Sequence, residues 1–267
     1  MENINLTEPS IEASTQTGVP SASVKKPKLT PSFNILKAAV SLWWKNLDKI
    51  LKIYWEGIKP ILVPLAVSAI LAFLAFVVLK EGPLSIAVKI LASVSAFVTL
   101  IFAIYFVTRT YIGVFLLIKK DYKDEALETF KETKPLFWPY IGLSLLTALL
   151  VLCWALLLII PGIIFSVLYS FAIYAFFFEG KKDMEAIRRS RALAKGYFWP
   201  IFGRFMLMGI IVLCFTMILS APFVGMPENS VEAQIGNFII QVISWIMGPI
   251  TLFFSYNIYS DLVKIKR

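Results

Sequence analysis

Residues 137–161 read FWPYIGLSLLTALLVLCWALLLIIP, and residues 198–222 read FWPIFGRFMLMGIIVLCFTMILSAP. Each is an apolar run opened by the same Phe-Trp-Pro. At an offset of 61 residues, Gly142 meets Gly203, Val151-Leu152-Cys153 meets Val212-Leu213-Cys214, and Pro161 meets Pro222. Each run is long enough to cross a hydrocarbon core of about 30 Å at about 1.5 Å per helical residue. Rare residues repeating in register mark a duplicated structural unit. Upstream, Glu125-Ala126-Leu127 matches Glu185-Ala186-Ile187 at an offset of 60, so one residue separates the two registers.

The flanking pattern completes the unit. Ala186, Ile187, Ser190, Leu193, Ala194 and Tyr197 fall on one face of a helix, and Arg188, Arg189, Arg191 and Lys195 occupy much of the other. Ala126, Leu127 and Phe130 repeat that apolar face in the first copy. The unit is therefore a short amphipathic helix, a turn and a transmembrane hairpin. Residues 33–54 carry Leu36, Ala39, Val40, Trp43, Leu47, Ile50 and Tyr54 at helical spacing, with lysines between them. They read as one basic amphipathic helix suited to the membrane interface, which opens a third, diverged unit. The expected units run over about 32–119, 120–180 and 181–267. Each holds an even number of crossings, so the copies are parallel.

Hydropathy places six spans, at 60–79, 90–117, 137–159, 162–178, 200–220 and 236–260. Composition agrees: 58% of residues are hydrophobic and 16% charged, against about 45–50% and about 25% in soluble domains. A water-soluble globule is excluded. The fold class is an all-α polytopic transmembrane bundle, a single six-helix domain over residues 32–267. Residues 1–31 are polar, rich in Ser, Thr and Pro, and read as a disordered tail without signal-peptide character.

The net charge is +9. In the alternating topology, 24 of the 26 Lys and Arg residues share one side, and only Lys80 and Lys89 lie on the other. That asymmetry points to cytoplasmic termini. Pro161-Gly162 is read as the turn between the third and fourth spans. Trp138-Pro139 and Trp199-Pro200 are read as corners where interfacial helix becomes membrane span, with Pro starting the helix and Trp in the headgroups. Pro249 is expected to kink the sixth span.

The chain has no histidine, which removes Ser-His and Cys-His nucleophiles and histidine metal sites. All 17 carboxylates fall outside the expected spans, so no catalytic residue, metal or cofactor is assigned. Lys89, Arg109 and Arg204 lie near span ends and are read as snorkelling. Cys153 and Cys214 are read as small buried hydrophobes.

Two sets of residues carry functional readings. Arg188, Arg189, Arg191 and Lys195 are candidate contacts for anionic lipid headgroups, each worth about 1 kcal/mol near such a surface. Asn237, Gln241 and Asn257 make the sixth span the most polar and are the candidate lining of a transport path. Nucleic acid is not implied, because the positive charge is spread over short segments.

The run Ile160-Pro161-Gly162-Ile163-Ile164, followed by Glu179, Ala186, Ser190, Lys195-Gly196, Pro249 and Tyr259, resembles the membrane domain of the glycerophosphoryl diester phosphodiesterase membrane-domain family. The resemblance covers residues 30–264. It implies a membrane fold in a bacterial plasma membrane. The catalytic domain that can accompany it needs histidines, which this chain lacks, so no activity is carried over. The function expected is a non-enzymatic membrane module acting through anionic lipids or a membrane-protein partner. The alternative is a transporter or permease for a lipid or small molecule.

Overall fold

The computed structural model describes residues 29–78, 82–227 and 230–266. Most of the expected tail lies outside the described residues. Its last residues are docked rather than free: Leu29 is buried, the Thr30 N–H donates to Asp261, and Arg204 donates to the Thr30 carbonyl at 2.6 Å.

The helices are α1 (Ser32–Lys45), α2 (Leu47–Phe73), α3 (Pro83–Lys119), α4 (Ala126–Leu157), α5 (Ile159–Tyr169), α6 (Ala172–Glu179), α7 (Asp183–Ala194), α8 (Phe198–Ser220) and α9 (Val231–Ile265). Six segments are long and apolar enough to cross a membrane: Leu47–Phe76, Leu84–Lys119, Ala126–Leu157, Ile159–Glu179, Phe198–Phe223 and Val231–Ile265. The chain is an all-α polytopic bundle. Three antiparallel pairs organise it: α2 with α3, α4 with α5–α6, and α8 with α9.

The breaks fall elsewhere than sequence periodicity predicts. The amphipathic stretch 33–54 is two helices, split at Asn46, whose side chain donates to the Leu42 carbonyl and closes α1. Its second half runs unbroken into the first span as α2, through Pro60 and Pro64. The copies centred on Trp138 and Trp199 also differ. α7 and α8 are separated at Gly196, whose φ of +88° suits glycine. The position 61 residues earlier is Pro135. Proline cannot reach positive φ, so α4 continues through Pro135 and Pro139 as one helix. Pro139 therefore starts no helix, whereas Pro200 does sit in the first turn of α8.

The turn between α4 and α5 is at Leu158, not at Pro161-Gly162. Leu158 alone is extended, with φ −159° and ψ 137°. Gly162 lies one turn into α5, and a Cβ there would stand 2.7 Å from the Ala155 Cα. Glycine is needed for close helix approach, not for reversing the chain.

The fourth span is broken between α5 and α6. Ser190 of α7, fully buried, mends the break: its hydroxyl accepts from the Phe171 N–H at 3.0 Å and donates to the Leu168 carbonyl at 2.7 Å. α9 passes through Pro249 without interruption. The missing proline N–H leaves the Trp245 carbonyl without its helical donor. Tyr54 of α2 donates to that carbonyl at 3.2 Å, and Trp43 of α1 donates to the neighbouring Ile246 carbonyl at 3.1 Å. Tyr174 of α6 reaches the Leu252 carbonyl at 3.0 Å.

Burial is concentrated at one end, here called the base. It holds the α3–α4 and α6–α7 connections, α1, α7 and the C-terminal end of α9. Its core includes Ile50, Ile53, Leu117, Phe171, Leu193, Phe253 and Leu262, all fully buried. Towards the other end the pairs present apolar side chains outward, from Leu62 to Ile104, Leu145 to Ile163 and Met206 to Val242. α3 has 37 residues, about 55 Å at about 1.5 Å each, so it is much longer than a hydrocarbon core of about 30 Å. The excess forms the base.

Replacing Ser190 by Ala should remove both bonds and orphan the Phe171 N–H. The expected loss is about 1–3 kcal/mol, read as a lowered thermal midpoint in detergent. An unchanged midpoint would show that the break is satisfied otherwise.

Candidate functional site

α7 lies across the base with Ala186, Ile187, Ser190, Leu193 and Ala194 buried. Its opposite face is not uniform. Arg188, Arg191 and Lys195 are exposed. Arg189 is turned inward, donating through Nε to Glu179 Oε2 at 2.7 Å, while the Tyr259 hydroxyl donates to Glu179 Oε1 at 2.8 Å. The Glu179 carboxylate holds the Arg189 guanidinium above its usual range. Of the four candidate headgroup contacts, three are available to a ligand and the fourth is part of the fold. Arg191 lies 5.7 Å from the Phe165 ring centroid. Lys266 donates to the Lys195 carbonyl at 2.8 Å, fixing the C-terminal end of α9 under α7.

Further basic groups share the base. Lys120 pairs with Asp124 at 2.6 Å and Glu132 at 2.7 Å, and these bonds raise its ammonium above the usual lysine range. Lys49 donates to the Tyr122 carbonyl. Lys37, Lys45, Lys123 and Lys131 have no ion pair among the described residues.

The tryptophans mark a level. Trp138 and Trp199 are 76% and 75% exposed, and Trp44 and Trp55 are exposed as well. Trp138 opens an uncharged stretch that runs to Phe178, whereas charged residues still follow Trp44, Trp55 and Trp199. Trp favours the headgroup boundary, and of the two expected corners only Trp199 lies at a helix start.

Two arginines read as snorkelling are instead buried. Arg109 is 8% exposed. Its Nε donates to Thr133 and its Nη2 to the Phe130 carbonyl, both at 2.8 Å, and its guanidinium lies 4.4 Å from the Phe130 ring centroid. Arg204 is 9% exposed and donates to the Pro200 and Thr30 carbonyls. Both sit in the base below the apolar part of their helices, where protein covers them. Lys89 is half-buried, 5.9 Å from the Phe76 ring centroid. Cys153 and Cys214 are exposed on α4 and α8 rather than buried.

The candidate polar path is not assembled. Asn237 and Gln241 are exposed on α9. Asn257 donates to the Ile35 carbonyl at 3.5 Å and tethers α1. The cavity between α1, α8 and α9 encloses about 220 Å³ and is lined by other residues. No group of His, Cys, Asp and Glu able to hold a metal occurs among the described residues.

Sequence periodicity missed the donor roles of Trp43, Tyr54 and Tyr174: Pro249 frees the acceptor of Tyr54 alone, and nothing in the sequence marks the Ile246 and Leu252 carbonyls as acceptors. Glu179, Ser190 and Tyr259 were visible only as motif positions, without roles. The fold and site define a multi-pass integral membrane protein. Compared with known proteins, the chain matches no family model, no curated protein and no solved structure.

Arg109 offers a direct test of its burial. Lysine cannot span both acceptors or lie flat on Phe130, so Arg109→Lys should lower stability by about 1.5–3 kcal/mol. Arg109→Met leaves Thr133 bonded to the Phe130 carbonyl and should cost less. Chemical unfolding of both variants in detergent decides; equal losses would contradict the arrangement.

Proposed function

We propose that this protein is a non-enzymatic membrane module that uses its basic base to bind the anionic headgroups of one leaflet, with a membrane-protein partner as a further ligand. The observation that carries the reading is α7. Three cations project outward from a helix whose apolar face is fully committed to the core, and the only other arginine of that helix is neutralised by Glu179. Lys37 and Lys45 on α1 add to the same surface. The charge asymmetry supports a cytoplasmic position for this face and both termini, and the family resemblance supports the plasma membrane. The resemblance to the glycerophosphoryl diester phosphodiesterase membrane-domain family supports a membrane module.

A permease-like path along the sixth span has less support. Its premise was a shared polar lining, and Asn237 and Gln241 face outward while Asn257 is tied to α1.

The test is lipid selectivity around the reconstituted full chain, measured with spin-labelled phosphatidylglycerol against spin-labelled phosphatidylcholine. Replacing Arg188, Arg191 and Lys195 together by Gln should weaken the preference for the anionic lipid. At low ionic strength about 1 kcal/mol per charge corresponds to roughly fivefold each, and the difference should shrink as salt rises. A preference unchanged in the triple variant would defeat the reading.

A further inference from the structure

α1 has two apolar faces. Ile35, Ala39 and Trp43 are buried, with Trp43 bonded to α9. Phe33, Val40 and Trp44 are exposed on the other side, with Lys37 and Ser41 among them. Leu36 and Val40 on this second face also floor a cavity that rises between α8 and α9. Its walls include Met208 and Phe215 from α8 and Ser244 and Met247 from α9. The lining residues of each helix recur at helical spacing on one stripe, so the cavity runs along the helix axes for about 12 Å. Of the hydroxyls in these walls, Thr216 and Thr251 donate to carbonyls of their own helices and Ser244 alone has no partner among the described residues, so the lining is otherwise apolar. The cavity therefore recognises hydrocarbon, aligned as a lipid tail is aligned.

At the base end stands Lys37, which pairs with no carboxylate among the described residues. We propose that the α1–α8–α9 seam is a specific site for one anionic phospholipid of the base-side leaflet, an acyl chain in the seam and the phosphate at Lys37 and Ser41. The site rests on the lipid-binding reading above but uses none of the α7 residues. Bulk lipid would fill the seam without choosing a headgroup; Lys37 beside its floor supplies the choice.

Gly248 makes the site testable. It lines the cavity, and a Cβ added there meets nothing within 4 Å. Gly248→Leu enters the seam with room for its Cβ, and Val212→Phe fills it from α8. The full chain is taken from nanodiscs of phosphatidylglycerol and phosphatidylcholine into mild detergent, and retained lipid is counted by native mass spectrometry. The wild type should keep one phospholipid, mostly phosphatidylglycerol. Both filling variants should lose it at least tenfold at unchanged thermal midpoint. Lys37→Gln should keep a lipid but lose at least threefold of the headgroup preference. Retention by both filling variants, or undiminished preference in Lys37→Gln, overturns the site. The α7 triple variant separates the two readings: if it loses leaflet selectivity while the filling variants keep their lipid, only the seam site falls. If the filling variants lose their lipid and the α7 variant is unaffected, only the α7 reading falls.

Discussion

A peptide group released away from water must be satisfied by the protein itself, and a side chain from another helix is one answer. The base of this protein is assembled from such answers. Pro249 frees the Trp245 carbonyl, and Tyr54 takes it; Trp43 takes the Ile246 carbonyl beside it. The α5–α6 break frees groups at Leu168 and Phe171, and Ser190 takes both. Tyr54 and Trp43 come from helices distant in sequence, and Ser190 from the next helix along. The interruptions therefore act as addresses: they fix where α1, α2 and α7 dock, and the aromatic core closes around them. Tyr54 stacks on Trp245 at 4.4 Å, so packing and hydrogen bonding specify the same register.

Away from the base the forces change. Lipid tails are as apolar as leucine, so burial gives no drive for helices to associate there. The contacts that persist rely on small residues and hydroxyls. Gly57 admits Thr110, Gly236 admits Phe223, and Ser68 bonds both Ser95 and Thr99 within the α2–α3 pair. These hold each pair together without joining one pair to the next. The splayed form follows, with the seam between α1, α8 and α9 as one of its lateral openings.

The spans, their number and the crowding of cations at one end were legible in the sequence, because hydropathy and charge act locally. The breaks were less so. Asn46 carries no stronger signal than many residues that stay helical, and the contrast between Pro135 and Gly196 shows two copies of similar pattern resolving the same corner differently. Arg109 and Arg204 were misread for a physical reason. A charge at the end of an apolar run is normally near water, but these helices continue past the membrane into a protein base. The end of the span is then the interior of the fold. Gly162 was placed near the correct turn for the wrong cause, since its lack of a side chain serves the approach of Ala155.

The division of labour on α7 shows how one short helix can be both scaffold and surface. A helix this polar gains little from the bilayer core, so its position must come from its apolar face and from Ser190. Arg189 adds a fixed contact, because Glu179 is itself held by Tyr259 of α9. The ion pair is partly shielded, with side-chain exposures of 32% and 21%, and so orients α7 more than it stabilises the chain. With the helix fixed from below, the backbone under Arg188, Arg191 and Lys195 is already ordered, and only their exposed side chains remain to be ordered by a ligand. Their charges are presented at a constant spacing on a surface flanked by exposed tryptophans. On the proposed lipid-binding reading, a headgroup meeting that face would find its cations on a fixed backbone, which lowers the ordering cost relative to cations on a loose segment.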